Sequence, residues 1–167
     1  EDEFAAISTA TTDELTGLFN RRGFNQLVRF TLSVARRRAE PLTLGWLDLD
    51  RFKEINDRYG HEEGDKALKV MAQLMRSAFR EADMLVRFGG DEFAVLFADT
   101  DEQGAWIAMQ YLAEQVEIYN ARKLHPWSLH FSWGLSEFDH NGNDLQQWLK
   151  DADEKMYAMK QQRQRAR

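Results

Sequence analysis

Arg87-Phe88-Gly89-Gly90-Asp91-Glu92-Phe93 joins two runs, 84–88 and 91–98, that read as β-strands. Adjacent glycines between apolar runs are a strong two-residue hairpin signal, because such a turn needs positive φ where a side chain would clash. The reading predicts a hairpin that turns at Gly89-Gly90. Upstream, Pro41 ends a helical pattern, and residues 42–47 read as a strand running into Asp48-Leu49-Asp50. Downstream, Trp127, Leu129, Phe131, Trp133 and Leu135 alternate with Ser128, His130, Ser132 and Gly134, the pattern of a half-buried strand. Helical spacing marks 22–38, 51–59 (closed by Gly60), about 63–80, a segment carrying Ala105, Met109, Leu112 and Val116, and a last one carrying Leu145, Trp148, Leu149, Ala152 and Met156. A tight hairpin set between helical crossovers implies a mixed sheet with helices packed on it, an α+β fold.

The chain has 167 residues, 43% of them hydrophobic and 12% aromatic, enough for the core of one domain. It has no cysteine, which excludes disulfides, thiolate metal sites and cysteine nucleophiles, and fits a reducing, cytoplasmic setting. The formal net charge of −6 argues against a general nucleic-acid binder or an anionic-membrane binder. No apolar run approaches the ~20 residues of a membrane span. The first residues, Glu1-Asp2-Glu3-Phe4, lack an initiator Met and a basic leader, so a piece of a longer chain is expected. The basic run Arg36-Arg37-Arg38 falls in the last turn of a helix and reads as a solvated face.

Chemistry-bearing residues gather at strand ends. Asp48 and Asp50 close one strand, and Asp91 and Glu92 follow the Gly-Gly turn. Mg²⁺ takes one or two carboxylates and leaves its other positions to water and phosphate oxygens, so acids beside a turn without side chains suit a metal-bound phosphate. In a strand Asp48 and Asp50 share a face, whereas Asp91 and Glu92 point to opposite faces. There is no G-x-G-x-x-G and no G-x-x-x-x-G-K-[ST]. Asp139-His140-Asn141-Gly142-Asn143 starts like an EF-hand, but Asp144 and Lys150 at the sixth and twelfth positions exclude one. The four histidines, 61, 125, 130 and 140, show no H-E-x-x-H spacing.

The run 87–93 contains the signature of the GGDEF family of diguanylate cyclases, and other segments resemble the same family in order. These are Asp13-Glu14-Leu15-Thr16-Gly17-Leu18-Phe19-Asn20-Arg21-Arg22, then Asp48-Leu49-Asp50-Arg51-Phe52-Lys53-Glu54-Ile55-Asn56-Asp57, then Gly60-His61-Glu62-Glu63-Gly64-Asp65. Ala152-Asp153, Met156-Tyr157 and Lys160 resemble its C-terminal helix. The resemblance implies a palm-like nucleotidyl cyclase fold, with a mostly antiparallel sheet of about five strands. Residues 1–11 would be a lead-in from an upstream linker helix and 12–167 the domain.

The resemblance also implies a reaction. Two GTP give cyclic di-GMP and two pyrophosphates, in a facing homodimer, with an upstream sensory domain in the full-length chain. Asp48, the Leu49 carbonyl and Asp91 would ligate Mg²⁺ or Mn²⁺. Asp91, Glu92 and Lys53 would be catalytic. Asn56 and Asp65 would hydrogen-bond guanine, with His61, Gly89, Gly90 and Lys160 also on the substrate. Arg80, nine residues before Gly89, and Asp83, in R-x-x-D spacing with it, would form a product-inhibition site. The usual K-x-x-G-R ending is here Lys160-Gln161-Gln162-Arg163-Gln164, which leaves open whether Arg163 or Arg165 takes over a phosphate contact. Two alternatives stand beside this reading: a cyclic di-GMP receptor with little catalysis, and a different palm-type nucleotidyl transferase.

Overall fold

The computed structural model describes residues 10–142 and 144–166. Most of the lead-in expected at 1–11, and Asn143 of the rejected EF-hand, lie outside the described residues. Helix α1 (Arg21–Arg38) is followed by β1 (Leu42–Leu49), α2 (Phe52–Tyr59), α3 (His61–Ala78), β2 (Met84–Gly89) and β3 (Glu92–Ala98). Then come α4 (Glu102–Ala121), β4 (Phe131–Glu137) and α5 (Leu145–Arg165). Three helices begin at side-chain caps. Asn20, Asp101 and Asp144 accept hydrogen bonds from the backbone N–H of Gly23, Gly104 and Gln147, satisfying donors a helix start leaves free.

The strands form one sheet in the order β2-β3-β1-β4, and every neighbouring pair is antiparallel. The described residues therefore hold four strands rather than about five, and the sheet is not mixed. Phe19 lies against the outer edge of β2, where its N–H donates to Leu85 and its carbonyl accepts from Arg87. The next residue, Asn20, caps α1 and turns the chain into a helix, so this contact stops at a single bridge.

Side chains on β1 alternate between two cores. Leu42, Leu44 and Trp46 pack with Phe24 and Val28 of α1 and Trp148, Ala152 and Met156 of α5. Leu47 and Leu49 pack with Met71 and Met75 of α3 and Met109 and Leu112 of α4. The sheet is thus sandwiched between two helical layers, and both faces are dry.

That sandwich corrects the expectation for β4. Residues 131–136 are all buried, so the strand is not half exposed. The small partners in the alternation, Ser132, Gly134 and Ser136, lie beneath α5 instead of facing water. They alternate in size with their neighbours, not in exposure. The strand also begins later than 127. Trp127 and Leu129 are buried outside it, because the Asn120 amide bonds both the N–H and the carbonyl of Leu129, at 2.9 and 2.8 Å, in place of a neighbouring strand.

The hairpin differs by one residue from its sequence reading. Arg87 pairs with Phe93, but the next pair is Gly89 with Glu92, so Phe88 is an extra residue on β2 and the turn falls at Gly90-Asp91. Phe88 is held by stacking on Trp46 (centroids 4.7 Å apart) and by an edge contact with Phe24 (5.4 Å), which fixes the bulge. Among the described residues no helix is long and apolar enough to cross a membrane.

Candidate functional site

At the end of β2 the backbone of Gly89 and Gly90 is open. Gly89 and Gly90 have φ of 140° and 52°, and a Cβ on either would meet nothing within 4 Å. Their requirement is conformational, and it leaves backbone open to a ligand. Arg87 holds the turn from behind. Its Nε and Nη2 donate to the Gly90 carbonyl at 3.0 and 2.8 Å, while Nη1 donates to Asp13 Oδ1 at 2.8 Å. Asp13 in turn accepts from the Thr16 N–H and hydroxyl at 2.9 and 2.7 Å. Arg76 of α3 donates to the Thr16 carbonyl. The D-E-L-T-G-L turn and the hairpin are therefore bonded to one another.

The acids meet at the same end of the sheet. Asp48 lies directly opposite Glu92 in the β1–β3 register, and the Leu49 N–H donates to the Asp91 carbonyl at 3.2 Å. Lys160 of α5 reaches in. Its Nζ lies 2.9 Å from Asp48 Oδ2 and 3.4 Å from the Leu49 carbonyl oxygen. The other Asp48 oxygen, Oδ1, is buried without a hydrogen-bond partner. Burial, then a side-chain contact with Asp91, pushes the Asp48 carboxyl up to about 7 against the pull of Lys160. Burial, then the charges of Asp48 and Asp153, raises Glu92 as well. Asp153 is raised by burial and by Asp48 and Glu154. The cluster carries more negative charge than its lysine offsets.

Whether a divalent ion suits this place follows from those donors. The orphaned, buried Asp48 oxygen, the Asp91 carboxylate and the Leu49 carbonyl are hard oxygen donors short of positive charge, which fits Mg²⁺ or Mn²⁺. Among the described residues no set of three or more His, Asp or Glu side chains converges as a full metal cage.

Chain geometry then aims the next elements. Arg51 takes a left-handed conformation (φ 58°), so α2 starts immediately after the strand. Lys53 stands exposed in its first turn, and Asn56 is half-buried. A Cβ on Gly64 would fall 1.8 Å from Asn56 Oδ1, so the first turn of α3 closes on Asn56 only because residue 64 has no side chain. Asp65, the next residue, and His61 are exposed on that same turn. The structure thus brings Asn56 against the turn of α3 that leads into Asp65.

Other residues separate from the cluster. Asp50 was read as sharing the acidic face with Asp48, but its carboxylate is buried and engaged. It accepts from Ser132 Oγ at 2.8 Å and pairs with Arg163 at 3.3 Å, and Arg163 also donates to the Phe131 carbonyl. Arg163 is therefore spent on structure rather than left for phosphate. Arg80 and Asp83 sit beside Ala98, the far end of β3 from Glu92, about 20 Å along the strand at ~3.4 Å per residue. Asp83 is buried and accepts from the Arg80 N–H, the Arg80 guanidinium and the Ala98 N–H. Arg80 remains more than half exposed, on a groove of about 290 Å³ that also includes Phe97, Thr100 and Ile107. A groove of about 600 Å³ between α2 and residues 126–130 includes neither Asp48 nor Asp91.

Two contributors were missed from the sequence. Asp153 was read only as part of a helix, although it lies seven residues before Lys160, two turns along one helical face. Arg21 stacks over Phe88 at 4.8 Å and lowers the pull of burial on Glu92. Its signal was the aromatic residue just before the glycines.

With the geometry in place, comparison with known proteins decides the family. The diguanylate cyclase GGDEF-domain family matches residues 10–166. This chain belongs to the GGDEF family. It is 33% identical over 151 residues to the probable diguanylate cyclase DgcC of Escherichia coli K12, covering 90% of this chain and 41% of that protein. The GGDEF domain of TpbB (YfiN) from Pseudomonas aeruginosa superposes with a TM-score of 0.81 at 33% identity, covering 90% of this chain and 89% of that one. A microbial GGDEF domain whose interaction with bis-(3,5)-cyclic di-GMP has been described superposes with a TM-score of 0.78 at 32% identity, covering 90% and 93%. The GGDEF fold is thus a four-stranded antiparallel sheet between helices here, and the chain spans less than half the length of DgcC.

Proposed function

We propose that this GGDEF domain condenses two GTP into cyclic di-GMP and two pyrophosphates. The observation that carries the reading is the carboxylate pair Asp48 and Asp91, short of positive charge, beside the open backbone of Gly89 and Gly90. Asp48, Asp91 and the Leu49 carbonyl would hold Mg²⁺ or Mn²⁺, which supplies charge neutralisation on the triphosphate and polarises the α-phosphate. The open backbone of Gly89 and Gly90 lets phosphate oxygens approach. Lys53 and Lys160 offset charge that builds on the phosphates during transfer. Asn56 and Asp65 read guanine, because a carboxylate can accept from its N1–H and N2–H₂, which adenine does not offer together; His61 borders the same ligand. Asp91 takes the proton of the 3′-hydroxyl as that oxygen bonds to the α-phosphorus and pyrophosphate leaves, with Glu92 supporting the site. Each nucleotide needs the hydroxyl of the other, so two copies must face one another in a homodimer. A domain placed by an upstream sensory segment would meet its partner more often.

Purified protein incubated with GTP and Mg²⁺ at high concentration should form cyclic di-GMP on chromatography, and Asp91→Ala should form none. No turnover together with tight cyclic di-GMP binding, even after forced dimerisation, would instead establish a receptor. That second reading draws on the groove beside Arg80. In an active enzyme the same groove would serve product inhibition. Arg80 would meet a phosphate or stack on guanine, and Asp83 would hold the arginine in place rather than touch the ligand. Arg80→Ala should then relieve product inhibition without lowering the initial rate; unchanged inhibition would remove Arg80 from that role.

A further inference from the structure

Lys160 bonds two of the three groups assigned above to the divalent ion, holding Asp48 through Oδ2 while Oδ1 stays unpartnered. Its ammonium lies 2.9 Å from Asp48 Oδ2 and 3.4 Å from the Leu49 carbonyl. An ammonium on that carboxylate and on the Leu49 carbonyl competes with an ion at about 2.1 Å from the same two groups, by both space and charge. Lysine suits such an exchange. It is a compact cation on a flexible four-carbon stem, and this side chain is 20% exposed, so it has a way out. The neighbouring cation on α5 cannot do the same, because Arg163 is fixed between Asp50 and the Phe131 carbonyl.

We propose that Lys160 is an internal stand-in for the divalent ion: it holds Asp48 and the Leu49 carbonyl in place until the ion arrives and is then displaced toward the triphosphate. The proposal rests on the metal-site reading given above. It makes the domain's two charge problems complementary. Before the ion binds, Lys160 limits the repulsion between Asp48 and Asp91. Once the ion takes over that task, a cation is released for the phosphates, so metal and nucleotide strengthen each other's binding.

The test uses the whole domain without nucleotide. Lysine acylation, read residue by residue by mass spectrometry, should be several-fold faster at Lys160 in saturating Mg²⁺ than in chelator. Lys155, which pairs with Glu102 and Asp151, should not change. In Lys160→Met, Mn²⁺ followed by electron paramagnetic resonance should bind about tenfold more tightly than in wild type, because no internal cation competes. If Mn²⁺ binds wild type but Lys160 reactivity stays constant, or the Met variant binds no more tightly, Lys160 is a fixed partner and the proposal is overturned while the metal site stands. If no Mn²⁺ binds with or without GTP, the metal-site reading fails and the proposal fails with it.

Discussion

Asp48→Asn will abolish cyclic di-GMP formation and yet melt at a higher temperature than wild type in metal-free buffer at pH 8. The two effects share one cause. Burial and the neighbouring Asp91 push the folded-state carboxyl up to about 7, against 3.8 for the ordinary group. A carboxyl raised in this way stabilises the fold fully below 3.8, where it is neutral in both states. It loses that contribution as pH rises through 7, because the folded chain must then hold an unwanted negative charge. Asparagine stays neutral and keeps the shape. Three pK units correspond to an upper bound of about 4 kcal/mol, and solvent at the partly open site plus the lost Lys160 contact reduce this to roughly 1–2 kcal/mol. That is a gain of about 2–8 °C for a domain of this size. The advantage should vanish near pH 4. Scanning calorimetry in chelator at pH 4 and pH 8 checks both ends, and a lower melting temperature for the variant at pH 8 would contradict the account. Catalysis moves the other way because asparagine cannot supply the charge that a divalent ion needs, and the expected loss is at least 100-fold.

Gly134→Ala is expected to be the most damaging single methyl in the chain. A Cβ at Gly134 would lie 2.3 Å from the Met156 nitrogen, 2.4 Å from the Ala152 oxygen and 2.8 Å from the Lys155 carbonyl carbon. All three are backbone atoms of α5, so no rotamer change can make room. The helix must move off β4, and it carries Trp148, Ala152 and Met156, all buried in the α1-side core. Overpacking of this kind costs about 3 kcal/mol or more, a drop in melting temperature of at least about 6 °C. The same shift withdraws Lys160 from Asp48, so surviving folded protein should also bind Mn²⁺ abnormally. A variant melting within 2 °C of wild type would show that α5 rides less closely on the sheet than these contacts require.

Gly134 also shows what periodicity can and cannot convey. The alternation 127–135 announced a strand, and a strand is there from 131. Alternation does not distinguish a polar face in water from a small-residue face under a helix, because serine and glycine serve both. Only the partner helix decides, and it comes from residues further on. The first three helices were legible within a residue or two and the last two by their buried positions, because each buries one continuous stripe. The acids were legible for a different reason: Asp48 at a strand end and Asp91 after two glycines are local patterns. Asp50 was not, since its fate depends on Ser132 and Arg163, over 80 residues away in sequence. The one-residue shift of the turn was hidden for the same reason. It is set by Trp46 and Phe24 gripping Phe88, which the glycine pair alone does not reveal.

Arg87 has a mechanical meaning. One guanidinium fastens the Gly90 carbonyl to Asp13, and Asp13 organises the turn through which the chain comes in. The edge of β2 is joined to that same stretch through Phe19. The stretch 13–19 and the tip that carries Asp91 are thus bonded to one another at two points. A twist applied at residue 13 is therefore delivered to the tip like torque through a keyed shaft, turning the whole block without bending it. A displacement of residues 13–19 thus carries the tip along, and leaves the arrangement within the tip as it was.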